Sequence, residues 1–225
     1  MTHDEHHRAL VRRLAAEVKP TRRLWTGAVR LGLWMALEVG VLAWVATHTS
    51  NDFVQKLKQP VYAIEVLFFV TAAVISAALG LRSAIPGRAL RASEAAVAAV
   101  LVIAGTLLVA AVEPMDATTP LGGFVRVGLP CAYGIGIFTA LPLLLLWWMV
   151  RRGASMSGGL SGLLAGAAAS FFSFAMLRLK CPTDEPLHIL TWHLLPALVL
   201  IALSTLAGGT WLRFRSRVQS REPTR

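Results

Sequence analysis

Six long apolar blocks divide this chain, and they leave it few folds to choose from. They cover residues 24–46, 61–81, 95–112, 132–150, 158–177 and 189–212. A helix needs about 20 consecutive apolar residues to cross a bilayer core, and each block approaches that length. Inside lipid every backbone N–H and C=O must be paired within its own segment, so helices are the expected form. The alternation of a membrane barrel strand is absent. Only 15% of the 225 residues are charged, against about 25% in a soluble domain. The reading is an all-α membrane protein: a six-helix transmembrane bundle over 24–212, a short amphipathic basic segment before it (1–23) and a basic tail after it (213–225). The first block lacks a small-residue cleavage site and is expected to stay in the membrane.

Basic residues set the orientation. With the N-terminus inside, one face carries Arg8, Arg12, Arg13, Lys19, Arg22 and Arg23, then Arg82, Arg88 and Arg91, then Arg151 and Arg152, then Arg213, Arg215, Arg217, Arg221 and Arg225. The other face carries Lys56, Lys58, Arg126, Arg178 and Lys180, and Arg30 lies within the first helix. Cytoplasmic loops are enriched in Lys and Arg, so both termini are expected in the cytoplasm. The net charge of +10 then follows from topology and calls for no nucleic-acid partner.

In the N-terminal segment, Leu10, Val11, Leu14 and Val18 share one helical face. Arg8, Arg12, Arg13, Glu17 and Lys19 cover much of the rest, and Pro20 should end the helix. Such a segment either lies on anionic lipid or docks into a groove of a cytoplasmic protein. Arg30 is near enough to the cytoplasmic end to snorkel. Glu38 is deeper, and reads as a functional carboxylate or as a protonated group bonded to a neighbouring helix; Glu65 and Glu94, near helix ends, carry less weight. Gly158, Gly162 and Gly166, followed by Ser170, form a small-residue face for close helix packing, within the bundle or in a homodimer. Pro142 and Pro196 are expected to kink their helices.

The chain has two cysteines, Cys131 and Cys181. The blocks place Cys131 at the opening of the fourth helix and Cys181 just after the fifth, on the outer face. These helices are antiparallel neighbours, so their outer ends should meet. Cys181 opens the polar run Cys181-Pro182-Thr183-Asp184-Glu185-Pro186-Leu187-His188, with His193 behind it. Three readings stay open: a structural disulfide, a redox switch, or a soft divalent metal site. For the metal, Cys131, Cys181, His188 and His193, with Asp184 nearby, offer thiolate, imidazole and carboxylate donors. On a regular helix His188 and His193 would lie about 140° apart, which counts against a shared face. His193 also fits an interfacial residue beside Trp192. No Walker loop, nucleophile elbow or H-E-x-x-H motif is present, so no enzyme is expected.

The basic N-terminal segment (Leu10-Val11-Arg12-Arg13-Leu14, then Pro20 and Arg22-Arg23), the six spans and the fifth loop Cys-Pro-x-Asp-x-Pro-x-His-x-x-x-Trp-His together resemble the NrsF-type family of bacterial integral-membrane anti-sigma factors. The resemblance implies a multi-pass protein of the bacterial inner membrane. It implies that the protein holds an extracytoplasmic-function sigma factor and releases it on oxidative or heavy-metal stress. It assigns Cys131 and Cys181 to signal sensing. It assigns sigma-factor binding to Arg8, Leu10, Val11, Arg12, Arg13, Leu14, Val18, Arg22 and Arg23. A competing reading is a small transporter or channel with a periplasmic Cys/His metal entry site. Sparse intramembrane charge argues against it. A membrane thiol-oxidising enzyme ranks lower, since there is no C-x-x-C.

Overall fold

The computed structural model of the chain describes residues 5, 7–9, 11–12, 24–48, 52–85, 92–112, 121–153 and 155–212. Its helices are α1 (Gly27–Thr47), α2 (Asp52–Leu57), α3 (Pro60–Arg82), α4 (Ala92–Val112), α5 (Leu121–Arg151), α6 (Gly158–Lys180), α7 (Pro186–Ile189) and α8 (Leu195–Trp211). A π-helical turn, Leu190–Leu194, joins α7 to α8. Among the described residues five elements are long and apolar enough to cross a bilayer: α1, α3, α5, α6 and the continuous α7–α8 unit. The chain is a multi-pass membrane protein. The remaining expected span falls on α4, whose apolar stretch Ala96–Ala111 is shorter than the others.

α5 begins well before the apolar block that announced it, and Cys131 therefore lies inside the helix rather than at its opening. The helix runs through Pro130 and Pro142. Each proline removes one backbone donor, and neither ends the helix.

Lipid tails are as apolar as leucine, so hydrophobic burial does little to hold these helices together. Close packing and interhelical hydrogen bonds do that instead. α6 meets both needs and forms the centre of the bundle. Nearly its whole surface is covered, with Ala165, Ala167, Ala168 and Ala169 buried beside Phe171, Phe172 and Phe174. α3 lies antiparallel to it. Ser83, just past the end of α3, shares a 2.7 Å hydrogen bond with Ser161 near the start of α6, and Glu65 near the start of α3 meets Arg178 near the end of α6. The rings of Phe69 and Phe174 meet between the two helices with centroids 4.1 Å apart, tilted by 35°.

α8 covers another side of α6 through the glycine face. A Cβ on Gly166 would sit 2.8 Å from that of Ser204, and one on Gly208 would sit 2.8 Å from the Gly162 Cα. Ser204 donates to the Gly162 carbonyl at 2.6 Å and accepts from Trp147 Nε1 of α5 at 3.1 Å. α5 joins α6 through Thr139, which donates to Ser173 at 3.0 Å. α1 lies at the edge and buries only Arg30, Trp34, Glu38 and Val45.

Candidate functional site

One end of the bundle gathers the reactive side chains. α5 brings Cys131, the end of α6 brings Cys181, and α7 with its π turn brings His188 and His193. The donor atoms of these four residues all lie within 4.8 Å of one another. The two sulfurs are 3.6 Å apart and unbonded. His188 Nε2 lies 3.4 Å from Cys181 Sγ. His188 and His193 are fully covered, with ring centroids 5.5 Å apart.

The sharing of one face by the two histidines corrects the expectation from regular helix geometry, and the cause is local. Pro196 has no N–H for the Trp192 carbonyl, and its ring crowds that carbonyl. The backbone opens into a π turn, in which the Leu195 N–H bonds the Leu190 carbonyl five residues back. That repeat returns the chain to nearly the same face after five residues, which is the spacing of His188 and His193. Single π turns of this kind occur often at functional sites. Phe124 and Phe174 wall the imidazoles, and the Trp192 ring packs on Phe124. Trp192 packs so closely on Gly128 of α5 that a Cβ there would overlap its indole.

A network of ion pairs fastens the Cys181 loop. Arg178 is buried and donates from Nε to Glu65 at 2.6 Å and from Nη1 to Asp184 at 3.0 Å. Lys56, just before the end of α2, donates to the Cys181 carbonyl and reaches Asp184 at 3.4 Å. Both cations lie over the Tyr62 ring. Asp184 thus stands apart from the four donors and anchors the loop that carries one of them. Sequence reasoning gave Glu65 little weight. The signal was an acid near the start of one span and an arginine near the end of another, hence at one depth in antiparallel helices.

The Cys181 thiol is held below its ordinary range. The Cys131 thiol beside it is the main cause, followed by the adjacent His193 ring and the backbone at Thr183, which together outweigh burial. A cavity of about 350 Å³, lined by Val127, Pro130, Gly134, Phe138 and Leu177, reaches both cysteines and gives small reagents a way in. Four sulfur and nitrogen donors around zinc, at bond lengths of about 2.3 and 2.0–2.1 Å, stand roughly 3.4–3.8 Å apart. The 3.6 and 3.4 Å separations fit that frame, and the other pairs, within 4.8 Å, lie within a short closure of it. A disulfide would require the sulfurs to close to about 2.05 Å. Neither His193 ring nitrogen has a hydrogen-bond partner among the described residues. A buried imidazole without a partner is unfavourable, and a soft cation would satisfy it.

Of the residues expected to contact a sigma factor, Arg8, Val11 and Arg12 are helical and exposed. Leu10, Arg13, Leu14, Val18, Arg22 and Arg23 lie outside the described residues. Gly158, Gly162 and Gly166 are turned toward α8. Glu38 is buried, and neither carboxylate oxygen is hydrogen-bonded among the described residues, so the second of its two readings, a group bonded to a neighbouring helix, is not seen there. Arg30 does not snorkel: it is 2% exposed and donates from Nη2 to the Leu81 carbonyl at 3.1 Å.

Neither the curated proteins nor the solved structures contain a match to this chain. A family model does match, over residues 14–214, which is nearly the whole length. The chain belongs to the NrsF family, described as negative regulator of sigma F.

Proposed function

We propose that the chain is a membrane-bound anti-sigma factor of the bacterial inner membrane. It sequesters an extracytoplasmic-function sigma factor through its N-terminal segment and releases it when a periplasmic signal reaches Cys131 and Cys181. Six spans put both termini in the cytoplasm, as the distribution of arginine and lysine favours. The observation that carries the reading is the compact donor set of Cys131, Cys181, His188 and His193 at the opposite end of the bundle from the start of α1. Its spacing favours a soft divalent cation as the signal over plain disulfide formation, since the cation needs little movement of the sulfurs. The ion acts here as a signal and not as a resident cofactor.

The route from signal to sigma factor runs through bonded groups. Cys181 is tied through Lys56, Asp184 and Arg178 to Glu65 at one end of α3. At the other end of α3 the Leu81 carbonyl accepts from Arg30 of α1, and α1 follows the N-terminal segment. Release requires two arrangements of the bundle with different sigma affinity. Each 1.4 kcal/mol of difference gives about tenfold in binding, so an effective switch needs several kcal/mol. The test is capture of partners by the tagged full-length protein from membranes, with and without residues 1–23. A sigma factor held by the full chain and lost with the truncation supports the reading. Capture of none by either form overturns it.

A further inference from the structure

Arg30 is a buried cation with unfinished hydrogen bonding. Its Nη2 donates to the Leu81 carbonyl, one of the last carbonyls of α3, which otherwise accepts a long 3.4 Å bond from the Ala84 N–H just past the helix. Its Nε and Nη1 have no partner among the described residues, although Arg30 is 2% exposed. A guanidinium stays charged even when buried, and an unpaired buried donor is costly. No carboxylate of the described chain supplies the missing partner. What lies beside Arg30 instead is a cavity of about 130 Å³ between the first turns of α1 and the last turns of α3. Ala28, Leu31, Ala78 and Leu81 line it, together with exposed Arg82, and no acidic side chain among the described residues does.

We propose that this cavity is a binding site for the phosphate of an anionic phospholipid headgroup, taken up by Arg30 with Arg82 at the edge. Three observations select a lipid over other anions. The walls other than the two arginines are apolar, which suits the glycerol and upper acyl part of a lipid. The site also lies at the end of the bundle where Trp25 and Trp148 pack edge to face, half exposed, with Arg152 over the Trp148 ring. Tryptophans of that kind mark the headgroup level of a bilayer, and basic pockets between helices at that level take anionic headgroups. Finally, arginine matches phosphate oxygens with several fixed donors, unlike the point charge of lysine. The site is distinct from the cysteine end, and the proposal does not rest on sigma-factor binding.

The test uses the full-length protein in nanodiscs and in detergent. Lipids retained on the protein are counted by native mass spectrometry during titration with phosphatidylglycerol or with phosphatidylcholine. Arg30→Met removes the donors. Ala78→Leu keeps Arg30 and fills the cavity, so it remains informative should the first variant not fold. The expected result is at least one tightly held phosphatidylglycerol on the wild type, weakened tenfold or more by either variant and a few-fold by Arg82→Ala. Equal retention by wild type and Ala78→Leu would overturn the site. In detergent, phosphatidylglycerol should raise Tm and inorganic phosphate should not. An equal rise with inorganic phosphate would overturn the lipid assignment in favour of a soluble anion.

Discussion

The two ends of this bundle bury charge in opposite ways. At the cysteine end Arg178 is covered and matched, with Glu65 and Asp184 as partners and the Tyr62 ring beneath it. On the inner face of α1, Arg30, Trp34 and Glu38 are covered too, but among the described residues Arg30 keeps two donor nitrogens unpaired, Trp34 its Nε1, and Glu38 both oxygens. Matched charges hold one geometry. Unmatched ones penalise the arrangement they sit in, so a ligand, a proton or a helix shift has something to gain there. The Arg178 ion-pair network is therefore the fixed frame of the cysteine end, where the unpaired atoms among the described residues are one Glu65 oxygen, the Trp192 Nε1 and the two His193 ring nitrogens of the donor set. By contrast α1, peripheral and incompletely satisfied, is the element free to change.

The largest effect should come from breaking the matched end. Glu65→Ala leaves Arg178 with one acid in place of two, and breaking a buried pair costs about 3–5 kcal/mol. Arg30→Met, in contrast, removes a charge with no acidic partner among the described residues and a single hydrogen bond, to the Leu81 carbonyl, and should change stability by less than about 1 kcal/mol. Reversible unfolding in mixed micelles ranks the two, and the reverse order would break the comparison.

The packing between the ends gives the next effect. Gly162→Leu would drive a side chain into the Ser204 backbone on α8, and overpacking of this kind costs about 1–3 kcal/mol. Gly128→Ala should cost about 1 kcal/mol, because Trp192 must move off α5. Since Trp192 precedes His193, it should also weaken cadmium binding, measured by equilibrium dialysis.

The smallest and sharpest effect concerns Cys181. An ordinary thiol has a pKa of about 8.5, so its thiolate fraction falls nearly tenfold for each pH unit below that. A thiol whose pKa is lowered stays ionised as pH falls until the lowered value is reached. Alkylation of Cys181 should then be nearly flat between pH 8 and 6. Cys131→Ala removes the hydrogen-bond donor that is the main cause of the lowering, and the rate should become steeper with pH. Identical profiles in the two proteins would show that Cys131 does not hold the thiolate.

Much of this was legible in the chain. The apolar blocks announced the helices because length and hydropathy suffice for a membrane span. The spacing of Gly158, Gly162 and Gly166 announced a face for close helix packing, because only missing side chains let backbones touch. The four donors were readable as residue types near two helix ends. Their convergence was not, because it depends on a π turn set by Pro196, and a regular 3.6-residue repeat points His193 the wrong way. The start of α5 was also hidden, since Arg126 and Pro130 interrupt the apolar pattern but not the helix. The pairing of Glu65 with Arg178 depends on tertiary register between antiparallel helices 113 residues apart in sequence, which no local pattern records.

The most direct test of the account is the fraction of sigma factor bound to membranes carrying this protein, measured before and after a thiophilic cation such as cadmium is added from the outer face. The account predicts that cadmium releases sigma from the wild type and leaves it bound when Cys131 and Cys181 are both serine. Release from the double variant to the same extent as from the wild type would contradict it.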